Sequence, residues 1–279
     1  MSTASRSDSH RGGGGATGGR YNYENILFEH DGPIARITLN RPNAANGIDQ
    51  ALAEELERAA TYCSEDPAVK VVVLTGAGRF FSAGGDVRAM AASGDTGAFI
   101  EKLAGTLHRA VSALARMDAL LIVGVNGTAA GAGMSLAVAG DLVVAAESAA
   151  FTMAYTKIGL SPDGGASYYL PRLIGLRKTQ ELMLTNRTLR AAEALEWGLL
   201  HRVVADDELA GAVEALAQEF AAGPKASNAA VKKLLLVSGQ HNLEEQLTTE
   251  AAFITRNSES ADGQEGIAAF TGKRAPKYA

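Results

Sequence analysis

The chain contains few of the residues that mark disulfide-rich, metal-binding and nucleic-acid-binding proteins. Its single cysteine, Cys63, can form neither an intramolecular disulfide nor a cluster of thiolate metal ligands. The five histidines show no metal-ligand spacing of the HExxH kind, so we predict no metal site. A formal net charge of -5 without a sustained basic block argues against a nucleic-acid partner.

Long uninterrupted apolar runs are also missing. The most apolar stretch, residues 119–140, is broken by Asn126, Gly127 and further glycines, which a helix spanning about 20 residues of lipid would tolerate poorly. Residues 1–20 hold no apolar segment typical of a secretory signal, and their glycine and serine content predicts a disordered tail. We therefore expect no membrane association and a cytoplasmic location.

The chain does contain a recurring order of apolar strands, loops and helices. Two apolar runs around Asp31-Gly32 predict a hairpin, because that dipeptide favours a tight turn. Asp49 can cap a helix that precedes a buried strand over residues 69–76. A second helix over residues 98–117 precedes the apolar strand "LLIVGVNG", and a short helix is expected soon after it. The repeated units indicate an α/β fold.

The pattern changes after Gly164, where nearly every segment has helical periodicity and no strand run of comparable strength follows. We therefore predict a sheet-containing core over residues 21–205 and a helical region over residues 206–279.

The first loop that could carry chemistry is "TGAGRFFSAGGDVRAM", residues 75–90, where a buried strand leads into Gly84 and Gly85. Glycines at such a place let a ligand approach bare backbone N–H groups. A plain alternative is a tight turn in front of a helix capped by Asp86.

The second such loop is "NGTAAGAGMSLA", in which Gly131-Ala132-Gly133 stands where a helix should begin. The free N–H groups and positive dipole end of a helix suit a developing negative oxygen. Small residues for close helix packing explain the same pattern equally well. Together, however, the two loops suggest an oxyanion hole with one donor from each strand-to-helix junction.

With these loops the chain resembles the crotonase (enoyl-CoA hydratase/isomerase) superfamily from about Tyr23 to Tyr278. The motifs that carry the resemblance are, in chain order, "LNRPNAANGID", "TGAGRFFSAGGDV", "VNGTAAGAGMSLAVAGDLVVAAESAAF", "IGLSPDGGASYYLPRLIG", "AAEALEWGLLHRVV" and "FTGKRAPKY". The resemblance implies a spiral of ββα units with a helical carboxy-terminal trimerisation region. It also implies that the N–H groups of Gly85 and Ala132 hold the thioester oxygen of an acyl-CoA as it gains enolate charge.

The resemblance further implies a homotrimer, or a hexamer made of two trimers, with coenzyme A present only as part of the acyl-CoA substrate. Family members contact coenzyme A partly through their terminal helices, so Phe270 and Lys273 are candidate contacts. Ala83 and Asp86, beside the first oxyanion donor, are the other candidates. We expect no separate cofactor.

The chain departs from the family's hydratases at two positions. Hydratases use two glutamates to position and activate water, and the matching residues here are Ser135 and Tyr155. Neither hydroxyl can replace a carboxylate as a general base near neutral pH. We expect these two side chains, with His108, to shape the acyl pocket instead.

Asp163 matches the position at which isomerases of the family carry an Asp or Glu. By that resemblance, it removes a proton from the carbon alpha to the thioester and returns it at the gamma carbon. The structural alternative makes Asp163 part of a helix start, with Ser161 as the N-cap and Pro162 at the first helical position. Double-bond migration in an acyl-CoA is the activity we predict.

Three other functions stay open. One is an enoyl-CoA hydratase of fatty-acid or aromatic-acid degradation whose water is held differently. Another is an aryl-CoA dehalogenase, in which Asp163 would be the nucleophile and His108 the base, although the tryptophan of such enzymes is matched by Tyr155. The third is a catalytically silent acyl-CoA binder, which would be indifferent to Asp163→Asn.

Overall fold

The computed structural model describes residues 22–279, so the tail predicted over residues 1–20 lies outside the described residues. The chain alternates strands and helices up to residue 204 and is helical beyond residue 209. The strands are β1 (Ile26–Asp31), β2 (Ile34–Leu39), β3 (Val71–Gly76), β4 (Phe80–Ser82), β5 (Leu120–Val125), β6 (Thr128–Ala130), β7 (Leu142–Ala146), β8 (Ala150–Thr152), β9 (Leu189–Arg190) and β10 (Arg202–Val204). The helices are α1 (Gln50–Glu65), α2 (Val87–Ala92), α3 (Thr96–Arg116), α4 (Ala132–Val138), α5 (Ala166–Thr185), α6 (Ala191–Glu196), α7 (Leu209–Ala221), α8 (Lys225–Ser238), α9 (Leu243–Glu259) and α10 (Ala261–Thr271).

The strands form two sheets that are built by the same repeated turn of chain. The larger sheet has six strands in the order β1-β2-β3-β5-β7-β10, and the smaller has four in the order β4-β6-β8-β9. Three consecutive turns each place one strand in the large sheet, the next in the small sheet, and then a helix. Apart from the antiparallel pairs β1–β2 and β8–β9, neighbouring strands are parallel. This is the predicted spiral of ββα units.

Local signals in the sequence account for the hairpin and the helix that precede these turns. The hairpin of β1 and β2 closes at Gly32, whose positive φ of 56° suits a residue without a side chain. The Asp49 carboxylate accepts a hydrogen bond from the Leu52 N–H at 2.9 Å and so caps α1 as expected.

The large sheet is covered on both faces. Along β3, Val72 and Leu74 belong to the main core with α1 and α3, while Val71 and Val73 pack with α7 on the opposite face. This period of two is what a strand buried on both sides requires. Because α7 completes the second face, the packed core continues past the predicted boundary at residue 205.

Two short strands were not predicted after Gly164. The strand β9 pairs with β8, and β10 joins the edge of the large sheet parallel to β7. Both are only two or three residues long and partly exposed, so they lack the buried apolar run by which the longer strands were recognised.

The helix α8 is anchored to the core by a buried lysine. The Lys232 ammonium donates to the carbonyl oxygens of Leu114 at 2.7 Å and Ala119 at 3.0 Å, and it pairs with the Asp141 carboxylate at 2.8 Å. Burial lowers the pKa of Lys232, and the Asp141 carboxylate opposes that effect.

The helix α9 differs from the other long helices because none of its 17 residues is buried in the single chain. Its exposed apolar side chains are Leu243, Leu247 and Ile254, and Ile267 and Phe270 on α10 continue them. Among the described residues, no helix is both long and apolar enough to cross a membrane.

Candidate active site

A cavity of about 290 Å³ opens where the loops after β4, β6 and β8 meet α3. Most of its lining is apolar, contributed by Ile48, Val87, Met90, Ile100, Leu103, Leu107, Ile158 and Leu160 among others. Gly85, Ala132, Tyr155 and Asp163 also line it. An apolar cleft with a few convergent polar groups is the usual form of a small-molecule site.

One side of this cavity is backbone. We call residues 83–86 and 130–133, from the loops after β4 and β6, the backbone floor. The two segments touch because Gly84 has no side chain: a methyl group added there would lie 2.7 Å from the Ala130 carbonyl oxygen and 3.1 Å from the Ala132 nitrogen. Gly84 also has a φ of 89°, which disfavours any other residue.

The floor presents two backbone N–H groups toward the cavity. Ile48 N–H donates to the Gly84 carbonyl, and Asp86 N–H donates to the Ile48 carbonyl, so the intervening Gly85 N–H points away from this pairing. No residue in the described part of the chain accepts a hydrogen bond from it. The Ala132 N–H belongs to the first residue of α4 and therefore has no acceptor within the helix.

A buried asparagine holds the first half of the floor in place. The Asn46 side-chain amide donates to the carbonyl oxygens of Ala77, Phe80 and Phe81 at 2.9, 2.8 and 3.1 Å, and Asn46 is fully buried with a φ of 51°. It therefore ties down the strand that leads into Gly84. Asn46 lies in the motif "LNRPNAANGID", but no role was predicted for it. No other signal in the sequence indicates that its side chain holds the floor.

Side chains form another side of the cavity. We call Ser135, Tyr155, Asp163 and His108 the polar wall, of which Tyr155 and Asp163 line the cavity and the other two lie behind them. The Tyr155 hydroxyl donates to Asp163 Oδ1 at 2.5 Å and lies 3.1 Å from Ser135 Oγ, which in turn donates to the Gly131 carbonyl at 3.3 Å. Burial, together with the neighbouring Asp163 carboxylate, raises the pKa of Tyr155 far above its usual value. Tyr155 is thus a fixed hydrogen-bond donor to Asp163.

His108 approaches the other oxygen of the same carboxylate. Its Nε2 lies 3.4 Å from Asp163 Oδ2 and accepts a hydrogen bond from the Gly164 N–H at 3.1 Å. The His108 side chain is 50% exposed, whereas that of Asp163 is 30% exposed. The two oxygens of Asp163 therefore meet different surroundings, one a buried phenol and the other a half-exposed imidazole.

The structural alternative, in which Asp163 belongs to a helix start, is wrong. The helix α5 begins at Ala166, and Ser161 and Pro162 lie in the loop before it. Gly164 and Gly165 have φ values of 62° and 89°, outside the helical region, so the helix cannot begin before them. Asp163 is held instead by the hydrogen bond from Tyr155.

The structure brings most of the predicted site residues together. Gly85, Ala132, Tyr155 and Asp163 line the cavity, as does Ala83, a predicted coenzyme A contact. Ser135 and His108 do not line it, contrary to expectation. Their side chains lie behind Tyr155 and Asp163, which separate them from the cavity.

Three predicted coenzyme A contacts stay predictions. Asp86 has internal partners, because it caps α2 by accepting from the Arg88 and Ala89 N–H groups and pairs with Arg41 at 3.3 Å. Phe270, which is 87% exposed, and Lys273 lie at the end of α10 and do not line the cavity of the single chain.

Comparisons with known proteins agree with this architecture. Residues 29–279 match the family described as enoyl-CoA hydratase/isomerase. The chain is 36% identical over 260 residues to the 1,2-epoxyphenylacetyl-CoA isomerase of Escherichia coli, covering 91% of this chain and 98% of that protein. It is 37% identical over 256 residues to a probable enoyl-CoA hydratase of Rhodobacter capsulatus, covering 92% and 98%. The solved enoyl-CoA hydratase of Polaromonas sp. JS666 superposes with a TM-score of 0.86 at 32% identity, covering 91% and 99%.

Proposed function

Because the chain belongs to the enoyl-CoA hydratase/isomerase family, we propose that it is an acyl-CoA isomerase that moves a double bond through a thioester enolate. The observation that carries this proposal is which polar groups line the otherwise apolar cavity. Asp163 is the one acidic side chain among the described residues that line it, and the two donors of the backbone floor line the same space. A single carboxylate suffices to move a single proton.

The proposed reaction divides the work between the two sides of the cavity. The Gly85 and Ala132 N–H groups hold the thioester oxygen and stabilise the negative charge that it gains. Asp163 removes the proton alpha to the thioester and delivers a proton to the gamma carbon. The hydrogen bond from Tyr155 fixes the Oδ1 side of the carboxylate, so Oδ2 is the oxygen left for proton transfer.

The same geometry argues against ordinary hydration. By the family resemblance, Ser135 and Tyr155 occupy the positions of the two hydratase glutamates, and here they form a hydrogen-bonded chain that ends at Asp163. The raised pKa of Tyr155 keeps its phenol protonated, so it cannot act as the base toward water. Ser135 is fully buried behind it.

The substrate proposed is an unsaturated acyl-CoA whose acyl chain is apolar. Its chain would pack between α2, α3 and the loop after β8, where the lining side chains are aliphatic. The E. coli relative is named as an isomerase of a phenylacetyl-CoA epoxide, which supports isomerisation of a bulky acyl group as the reaction class. Coenzyme A enters as part of this substrate, with Ala83, Asp86, Phe270 and Lys273 as its proposed contacts.

We also propose that the protein works as an assembly of identical chains, a trimer or a pair of trimers. Most of the stability of a helix in a protein comes from packing of its apolar face, and α9 buries none of its 17 residues in the single chain. Its exposed Leu243, Leu247 and Ile254 are the surface that a neighbouring copy would cover.

Light scattering after size-exclusion chromatography tests the assembly. We expect a mass of three or six chains, and dissociation when Leu247 and Ile254 are both changed to Glu. Leu27→Glu, which charges a comparably exposed leucine on β1, is the control and should keep the assembly. A wild-type protein that elutes as a monomer at micromolar concentration would contradict this proposal.

The reaction is tested with a 3-enoyl-CoA and, separately, a 2-enoyl-CoA, following the ultraviolet absorbance of the conjugated thioester. We expect the wild type to convert the 3-enoyl ester. Asp163→Asn, which keeps an oxygen to accept from Tyr155, should lower kcat by about 100-fold to 10,000-fold. Asp207→Asn, a change of the same type at an exposed residue, is the control and should leave kcat unchanged.

Two results would overturn the isomerase proposal. Hydration of the 2-enoyl ester that survives in Asp163→Asn would indicate a hydratase that does not need this carboxylate. Binding of both esters without turnover, equal in wild type and variant, would indicate a silent acyl-CoA binder.

A further inference from the structure

His108 stands between the cavity of the candidate active site and a second cavity. The second cavity, also about 290 Å³, lies between α3, α5 and α8 and is lined by His108 and Gly164 together with Ser112, Tyr168, Gln240 and others. Asp163 lines only the first cavity and His108 only the second. Their side chains meet at 3.4 Å, so this pair is a polar contact between the two spaces.

The hydrogen bonds fix which atoms face each other across this contact. Because the Gly164 N–H donates to His108 Nε2, that nitrogen is an acceptor, and the neutral ring carries its proton on Nδ1. Tyr155 occupies Asp163 Oδ1. The free oxygen of Asp163, Oδ2, therefore faces an unprotonated imidazole nitrogen.

We infer that His108 is a positioning residue that carries protons between Asp163 and the solvent of the second cavity during turnover. This inference rests on the proposed isomerase function. Asp163 is itself partly exposed to the first cavity, but a bound acyl chain would fill that space and exclude water from it. The half-exposed His108 then becomes the path by which the carboxyl group exchanges its proton.

The proposed step conserves every proton and electron pair. The alpha C–H bond breaks, its electron pair stays on the substrate as the enolate, and the proton forms an O–H bond on Asp163 Oδ2. It then passes to the single lone pair of His108 Nε2, which gives up its hydrogen bond from the Gly164 N–H in this step. The transfer restores the carboxylate and leaves an imidazolium. The imidazolium exchanges its protons with solvent, and a solvent proton returns through Asp163 to the gamma carbon.

The proposal predicts where the hydrogen in the product comes from. If His108 carries protons, a product formed in heavy water contains deuterium at the gamma carbon. If Asp163 works alone in a sealed cavity, the proton that leaves the alpha carbon returns to the gamma carbon of the same molecule.

The experiment follows conversion of a 3-enoyl-CoA in heavy water, with mass spectrometry of the product at low conversion. We expect most of the wild-type product to carry deuterium. His108→Gln, whose amide oxygen can still accept from Gly164 but cannot relay a proton, should lower the deuterated share at least fivefold while kcat falls by less than about tenfold. His201→Gln, at an exposed histidine outside both cavities, is the matched control and should behave as wild type.

A second arm uses butanoyl-CoA, which has alpha protons but no double bond, so that alpha exchange is measured without isomerisation. If the 3-enoyl ester is not converted but His108→Gln still loses alpha exchange, the isomerase proposal fails and the proton path stands. A variant that deuterates as fully as wild type in both arms would overturn the role of His108. Absence of exchange from the wild type in both arms would overturn it too.

Discussion

In the backbone floor the sequence acts through side chains that are absent, whereas in the polar wall it acts through four side chains that touch one another. Gly84 lets two loops meet at a distance that any Cβ atom would prevent. Tyr155, by contrast, holds Asp163 through one hydrogen bond that water could partly replace. Substitution at Gly84 in the floor should therefore cause a large loss of turnover at once. Substitution of the wall residues that support Asp163 should lower turnover by graded amounts.

Apart from the loss of Asp163 itself, the largest effect is expected in the floor. Gly84→Ala places a methyl group 2.7 Å from the Ala130 carbonyl oxygen, which forces the two oxyanion segments apart. Loss of one oxyanion donor costs about 100-fold or more in rate, so we expect at least that fall in kcat/KM for the 3-enoyl-CoA.

Gly32→Ala is the matched control for that variant, because Gly32 also has a positive φ but nothing lies within 4 Å of an added methyl group. It should cost about 1–2 kcal/mol of unfolding free energy and leave turnover intact. If Gly84→Ala also kept its turnover, the close contact of the two loops at Gly84 would not be needed for activity.

An intermediate effect is expected for Tyr155→Phe. The variant keeps the ring and removes the donor to Asp163 Oδ1, and a hydrogen bond to a charged group contributes about 1.5–3 kcal/mol. We expect kcat to fall by about 10-fold to 100-fold with little change in KM, measured by steady-state kinetics. A fall in kcat/KM that comes only from KM would mean that Tyr155 binds the acyl chain rather than orienting the carboxylate.

The smallest effect is expected for Ser135→Ala. Ser135 reaches Asp163 only through Tyr155, so its loss should change kcat less than about threefold and cost about 1 kcal/mol in a denaturant titration. A larger loss of kcat than in Tyr155→Phe would show that Ser135 acts on the substrate directly rather than through Tyr155.

The floor could be predicted from the sequence more fully than the wall. Glycine clusters after apolar strands are local signals that predicted two loops meeting at one site, and Gly85 and Ala132, which the family resemblance picked out in these loops, do line one cavity. The contact of His108 with Asp163 joins α3 to the loop before α5, and no local pattern sets that distance. The position of Asp163 before the helix start could have been predicted, since two successive glycines precede Ala166.

Elsewhere in the fold, features set by short-range signals could be predicted, whereas features set by packing between distant segments could not. The hairpin, the cap of α1 and the helix from Ala132 follow from short-range signals and were predicted correctly. The burial of Lys232 was not, because its neighbour Lys233 has the same chemistry and only the packing of α8 distinguishes them. Asn46 likewise shows its importance only through three carbonyl groups that are distant in the chain.

The three partners of the Lys232 ammonium bear on how the molecule opens. They lie in or beside α3, β5 and β7, so releasing α8 would leave a buried cation without compensation, at a cost comparable to that of breaking a buried ion pair. The α8 segment is therefore expected to open in native-state hydrogen exchange only together with the sheet. In the single chain, outside the proposed assembly, the α9 segment has no buried residue and is expected to form a separate cooperative unit of lower protection. The boundary between the unfolding units then lies in the turn between α8 and α9.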